Sequence, residues 1–157
     1  MEGVVENLVR EYLDEAKLMQ IATAKENRPW VASVWYVNDD KLNLYFISRR
    51  ARRHSLEIKE NENVAGAIVV PHTVGSGEKV RGLQFEGTAR ECKGKEIEKA
   101  KEIYIEKYSS AEIIPTEKLK DPKFIASFYM IKPKMFVLFD EVNFPNEPRQ
   151  ELWLKEK

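Results

Sequence analysis

The densest chemistry in the sequence is the basic turn Ser48-Arg49-Arg50-Ala51-Arg52-Arg53-His54. A strand-like run, Leu42 to Ile47, leads into it. A helix-like run, Ala51 to Glu60, leads out, with Leu56 and Ile58 as apolar anchors. A helix start offers free backbone N–H groups and the positive end of the helix dipole, and guanidinium forks add paired donors suited to phosphate. The turn is therefore a candidate anion site. Arginines at such a turn also occur as plain solvated charge, and the spacing leaves both readings open.

The other reactive side chains form no second constellation. His54 and His72 are isolated, with no cysteine beside them and no His-Glu-x-x-His pattern, so no metal site is expected. Gly75-Ser76-Gly77-Glu78-Lys79 lacks the Gly-Lys-Ser/Thr ending of a phosphate loop and reads as a flexible hairpin. Cys92 has no activating histidine nearby and reads as structural. A single cysteine also forbids an internal disulfide, which agrees with a reducing, cytoplasmic setting. No triad is present, and no catalytic residue is assigned.

Composition bounds the partners. A chain of 157 residues that is 43% hydrophobic suits one domain spanning 1–157. Such a chain buries roughly 70% of its unfolded surface, enough for one core without staples. Basic and acidic residues balance at 26 each, so the chain as a whole is no polyanion binder. Nucleic acid would have to be held by Arg49, Arg50, Arg52 and Arg53, which lack the interleaved aromatics of a stacking platform, and none is expected. The longest apolar runs, Val31 to Val37 and Val64 to Val70, fall far short of the roughly 20 residues of a spanning helix. Met1 to Glu15 is too acidic, and lacks the apolar segment, for a secretory signal.

The elements that must position the turn follow from periodicity. Val5, Leu8, Val9, Tyr12, Leu13 and Ala16 recur at helical spacing and predict a docking helix. Leu18 to Ala24 predicts a strand, and Lys25 to Pro29 a turn. Trp30 to Val37 then predicts a strand apolar on both faces, to be buried on both or covered on one by a ligand or partner. After the helix come strands Val64 to Val70 and Val80 to Cys92; in the latter Leu83, Phe85, Gly87 and Ala89 alternate with polar neighbours that include Gln84. Gly94 to Tyr108 is helical, and Ser109 to Phe124 is irregular around Pro115 and Pro122. Ile125 to Ile131 and Met135 to Asp140 read as two strands flanking Lys132-Pro133-Lys134, and Glu141 onwards reads as a tail. Such a succession, without repeated βαβ units, predicts a mainly β, antiparallel barrel or sandwich with peripheral helices.

The succession Arg28-Pro29-Trp30-Val31-Ala32-Ser33-Val34-Trp35-Tyr36-Val37, Asp39-Asp40, Leu44-Tyr45-Phe46, Ser48, Arg52, Leu56, Asn61 and Val64-Ala65 resembles the FMN-binding split barrels related to pyridoxamine 5'-phosphate oxidase. Gly82 to Gly87 is similar to that family's long strand, Glu106-Lys107-Tyr108 to its helix end, and Tyr129 to Pro133 with Phe136 to Asp140 to its last hairpin. Arg53-His54 and Arg81 to Gly87 resemble most a branch whose members are uncharacterised.

The resemblance implies a six-stranded antiparallel split β-barrel and a homodimer with FMN at the subunit interface. It also implies that the backbone around Ser33, Val34, Trp35 and Tyr36 lies along the flavin, and that Ser48 and Arg52 approach its phosphate. Arg53, His54 and Gln84 complete the candidate cofactor set. Many relatives carry lysine at the Arg52 position; arginine keeps the charge and changes the geometry. The end Glu151-Leu152-Trp153-Leu154-Lys155-Glu156-Lys157 does not match the oxidases' basic C-terminal end, so oxidation of pyridoxamine phosphate itself is not expected. The implied activity is that of an FMN-dependent oxidoreductase of a small substrate. The alternatives are a flavin- or deazaflavin-binding protein without turnover and a nucleic-acid-binding barrel; haem, which other relatives of the barrel bind, would need an axial histidine, and neither His54 nor His72 announces itself as one.

Overall fold

In the computed structural model, residues 1–109 and 114–156 are described. Helix α1 (Glu2–Glu15) buries Val5, Val9, Tyr12 and Leu13, a stripe at helical spacing, against the core. Strands β1 (Leu18–Lys25) and β2 (Arg28–Trp35) form a hairpin closed by Glu26 and Asn27, both left-handed at φ of 50° and 60°. Two successive positive φ values match the right-handed twist of the flanking strands. Then follow β3 (Val37–Asn38), β4 (Leu44–Arg49), α2 (Arg53–Glu60), β5 (Asn63–Val69), β6 (Arg81–Glu91), α3 (Lys95–Tyr108), α4 (Thr116–Lys120), β7 (Ala126–Asp140) and β8 (Arg149–Trp153).

The strands make one antiparallel sheet in the order β2-β1-β5-β6-β7-β4-β3, with β8 added to β7. β2 and β4 approach each other without sharing a ladder, which leaves the barrel split. The split-barrel class is as expected, and eight strands build it because β3 is a two-residue segment and β8 lies in the stretch read as a tail. One core, between the sheet and α1, gathers Met19, Ile21, Phe46, Ile68, Leu83 and Phe136. A second, under α3, gathers Val37, Tyr45, Cys92, Ile97, Ala100 and Phe128. Cys92 is thus a buried core residue, its thiol pushed up to about 12 by burial.

Three expectations are corrected. Residues 126–140 form a single strand, not two around Pro133. Pro133 is tolerated because β4 pairs with β7 only as far as Ile131 and β8 begins only at Met135, while the β6 register shifts between Glu86 and Gly87 opposite it. The stretch 109–124 contains α4, and residues 110–113 lie outside the described residues. Of the two expectations for β2, burial on both faces within the chain does not hold; as an edge strand it leaves Val31 57% and Trp35 49% exposed on one face. No helix of the described residues is long and apolar enough to cross a membrane.

Gly66 on β5 is a tight point of the sheet. A Cβ there would stand 2.3 Å from the Phe85 ring and 2.6 Å from the Gln20 carbonyl oxygen, whereas one on Gly3 would meet nothing within 4 Å. Gly66→Ala should therefore destabilise the fold by about 1–3 kcal/mol, or more if the ladder must part, while Gly3→Ala should not. Urea midpoints of the two variants test this; equal midpoints would mean that Phe85 yields without cost.

Candidate functional site

The basic turn is fixed from both sides. β4 delivers Ser48 and Arg49 opposite Ser127 and Ala126 of β7. The Arg50 backbone N–H donates to the Ile125 carbonyl at 2.9 Å, and the Arg52 N–H closes the turn on the Arg49 carbonyl at 3.1 Å. Arg52, in extended backbone, starts α2. No side chain caps that start and no acid lies in the first turn, so its amides and dipole remain uncompensated by the chain.

The structure brings Ser48 and His54 together. Ser48 Oγ lies 2.7 Å from His54 Nε2, and the Ser55 hydroxyl donates to Ser48 Oγ at 3.3 Å. Which of the two donates across the Ser48–His54 contact follows from the imidazole tautomer; with the proton on Nε2 the ring donates and the Ser48 proton is left for a ligand. His54 is only 8% exposed. Burial first, then the nearby Arg52 charge, hold its pKa below the ordinary value, so the ring is neutral.

A second cluster forms one residue away. The Arg53 Nε donates to Glu57 Oε2 at 2.7 Å, the Thr23 hydroxyl donates to Glu57 Oε1 at 3.0 Å, and the Arg53 guanidinium carbon lies 4.3 Å from the Trp30 ring centroid. Glu57 is buried; its hydrogen bond to Arg53 holds its carboxyl below the usual range against the opposing effect of burial. Sequence reasoning missed Trp30, Glu57 and Thr23. The i,i+4 spacing of Arg53 and Glu57 was a visible signal; contacts from α2 to β1 and β2 were not.

The arginines of the turn have unlike fates. Arg50 is structural: its Nε donates to Glu91 at 2.6 Å, and its Nη1 donates to the carbonyls of Asp121, at 3.1 Å, and Phe124. Arg49 and Arg52 are exposed and form no salt bridge among the described residues.

The β2 candidates divide by face. Register pairs Trp30, Ala32 and Val34 with Thr23, Ile21 and Met19 on the core side, and Val31, Ser33 and Trp35 with Ala22, Gln20 and Leu18 on the outer side. Ser33 accepts a long hydrogen bond from the Gln20 amide at 3.4 Å. Gln84 is also outer, in a trough of about 530 Å³ lined by Gln20, Val31, Ala65, Ala67 and Val137. Within one chain, Ser33, Trp35 and Gln84 therefore do not meet Ser48 and His54. Tyr36 is fully buried: its hydroxyl donates to the Leu13 carbonyl at 2.6 Å, its N–H to the Lys17 carbonyl at 3.2 Å, and its own carbonyl accepts from Tyr108. The Lys107 ammonium sits 4.3 Å from the Tyr36 ring centroid and donates to the carbonyls of Leu13 and Ala16; burial pulls its pKa down to about 8. These contacts pin the end of α1 and of β2 to α3.

The family model for pyridoxamine 5'-phosphate oxidase matches residues 5–129. The chain belongs to that family. A UPF0306 protein of Pasteurella multocida is 29% identical over 102 residues, covering 64% of this chain and 67% of that protein. For a second UPF0306 protein, from Citrobacter koseri, the match spans only 61% of its length. Among solved structures, a heme binding protein from Mycobacterium smegmatis superposes with a TM-score of 0.72 at 14% identity, over 93% of this chain and 57% of that one. The heme storage protein HutZ of Vibrio cholerae superposes with a TM-score of 0.65 at 17% identity, over 82% and 89%. Likeness at such identity concerns the fold alone.

A neutral, buried His54 has a consequence for pH. The unfolded chain takes up the imidazole proton more readily than the folded one, so this contribution to stability is full above 6.5 and is lost as pH falls through 6.5 towards the lowered folded value. Between about pH 7 and pH 5, the denaturation midpoint of the parent should fall, and that of His54→Asn should fall less. Parallel profiles would remove His54 as the cause.

Proposed function

We propose that this family member binds FMN at the β4–α2 turn and acts as a flavin-dependent oxidoreductase on a small substrate. The observation that carries the reading is the turn itself: an uncapped helix start without first-turn acids, a Ser48 hydroxyl oriented by neutral His54, and two adjacent arginines, Arg52 and Arg53. This donor set fits a phosphomonoester, whose oxygens accept several charge-assisted hydrogen bonds. FMN, when bound, supplies the hydride and electron transfer.

In this reading Ser48, Arg52 and Arg53 hold the phosphate, and the unpaired edge of β2 around Ser33, Val34 and Trp35 lines the ring. Tyr36, with its polar atoms engaged inside the chain, contributes by fixing where β2 ends. Gln84 and Trp35 face outwards, where a second copy of the chain in a homodimer would bring them to a flavin held between subunits. The Ser48–His54 distance would also suit a serine activated by a base, but the arginines at the same turn favour anion binding.

A second reading, haem binding, is favoured by the two solved proteins above, one heme binding and the other heme storing. At both histidines Nε2 is already engaged, at His54 by Ser48 and at His72 by the Arg81 N–H at 3.3 Å, and His54 is buried. The donors of the basic turn favour FMN over haem.

The absorption spectrum of the purified chain, after incubation with FMN and removal of free ligand, decides between them. Flavin bands near one per chain are expected, and a Soret band retained on haem titration in place of flavin would reverse the order. Arg52→Ala should weaken FMN binding by about 1.5–3 kcal/mol, and Arg49→Ala by less. Unchanged affinity in the Arg52 variant would remove that residue from the phosphate site.

A further inference from the structure

Arg53 is held through its Nε and its ring face and still has both Nη groups to give, whereas Arg50 spends its Nε and Nη1 on the chain. Stacking on Trp30 fixes the plane of its guanidinium, and the bond from Nε to Glu57 fixes its rotation within that plane. Glu57 cannot swing, because it is 4% exposed and its other oxygen is bound by Thr23. Trp30 stands opposite Thr23 in the β1–β2 register, so the contacts close a ring through β1, α2 and β2. The ring leaves over the two Nη groups, which make no hydrogen bond among the described residues, and 40% of the Arg53 side chain remains open to solvent.

We propose that Trp30 and Glu57 are positioning residues that hold the Arg53 guanidinium as a preset fork for a phosphomonoester. The proposal rests on the FMN reading for the rest of the ligand, but not for the fork. A long side chain that is ordered only on binding loses rotamer freedom at that moment; one already ordered does not. A phosphomonoester offers three terminal oxygens, one more than a carboxylate, so it can take both Nη groups of the fork and still accept from another donor of the turn. Lysine at position 53 would keep the charge but could neither stack nor fork.

FMN and riboflavin share ring and ribityl chain and differ in the phosphate, so the ratio of their affinities isolates the fork from general damage to the pocket. In the full-length chain, with folding checked by circular dichroism, Trp30→Ala and Arg53→Lys should each lower the FMN-over-riboflavin ratio about tenfold and leave riboflavin affinity unchanged. Trp30→Phe, which restores an aromatic face, should recover most of the ratio. A parental ratio in Trp30→Ala overturns the positioning role and leaves the flavin reading intact. If the parent binds neither flavin, the flavin reading fails, and the fork is decided by phosphorus NMR with phenyl phosphate. Line broadening by the parent that is lost in both variants sustains the fork; broadening that is absent, or equal in all three, overturns it.

Discussion

Three ladders meet on β7. It pairs with β6 from Glu91↔Tyr129 to Arg81↔Asp140, with β4 along its first six residues, and with β8 along its second half. A strand so shared must supply backbone donors on both edges, and the one residue that cannot, Pro133, stands where β4 has ended and β8 has not begun. Opposite it Gly87 is required, because a Cβ there would lie 2.3 Å from the Lys132 carbonyl oxygen. At the far end, buried Asp140 accepts from the Tyr12 hydroxyl at 2.6 Å and from the backbone of Val142 and Asn143, tying α1 to the sheet. The position of the basic turn is inherited from this strand. Ser48 and Arg49 are placed by Ser127 and Ala126, and Arg50 clamps the turn to the ends of β6 and β7.

The turn that reads as four equivalent arginines is a division of labour set by solvent access. Arg50 is consumed in structure, where its guanidinium ties the carbonyls of Asp121 and Phe124 to Glu91 at the end of β6. Arg53 is half consumed, by Glu57 and Trp30. Arg49 and Arg52 stay in solvent. A polyanion-binding face would want all four pointing outwards and mobile. A small anion site wants few donors with fixed directions, and Arg53 has the fixity that such a site needs.

Periodic elements were legible because their burial is one-sided. The α1 stripe and the alternation of Leu83, Phe85, Gly87 and Ala89 in β6 follow directly from a face that must leave water. β7 was misread because proline is a breaker only where its N–H is needed, and need is a matter of neighbours. β8 was missed because Arg149-Gln150-Glu151 carries little apolar pattern and is a strand only by pairing with β7. At the site, the basic turn was legible as composition. The Ser48–His54 pair arises from a strand end folding back on a helix start six residues later, and the Trp30–Arg53 stack joins residues 23 positions apart. Neither spacing belongs to a helix or strand period.

The two apolar faces of β2 pose different physical problems and receive different solutions. On the core side Ala32 and Val34 pack against the interior, while Trp30 is 42% exposed and is covered in part by the Arg53 guanidinium, which tolerates both an aromatic face and water. On the outer side Val31 and Trp35, with Leu18 and Val69, are left exposed beside a trough floored by the small residues Ala22, Ala65 and Ala67. Small residues flatten a sheet and let another surface approach closely, and an unpaired apolar edge strand beside such a floor is costly to leave in water. The proposed homodimer meets that demand: a second copy would cover the outer face and bring its own residues towards the edge that the core-side arginine already flanks. Under this arrangement the same strand serves the subunit contact with one face and the anion fork with the other, so a ligand lying across its edge would report on both.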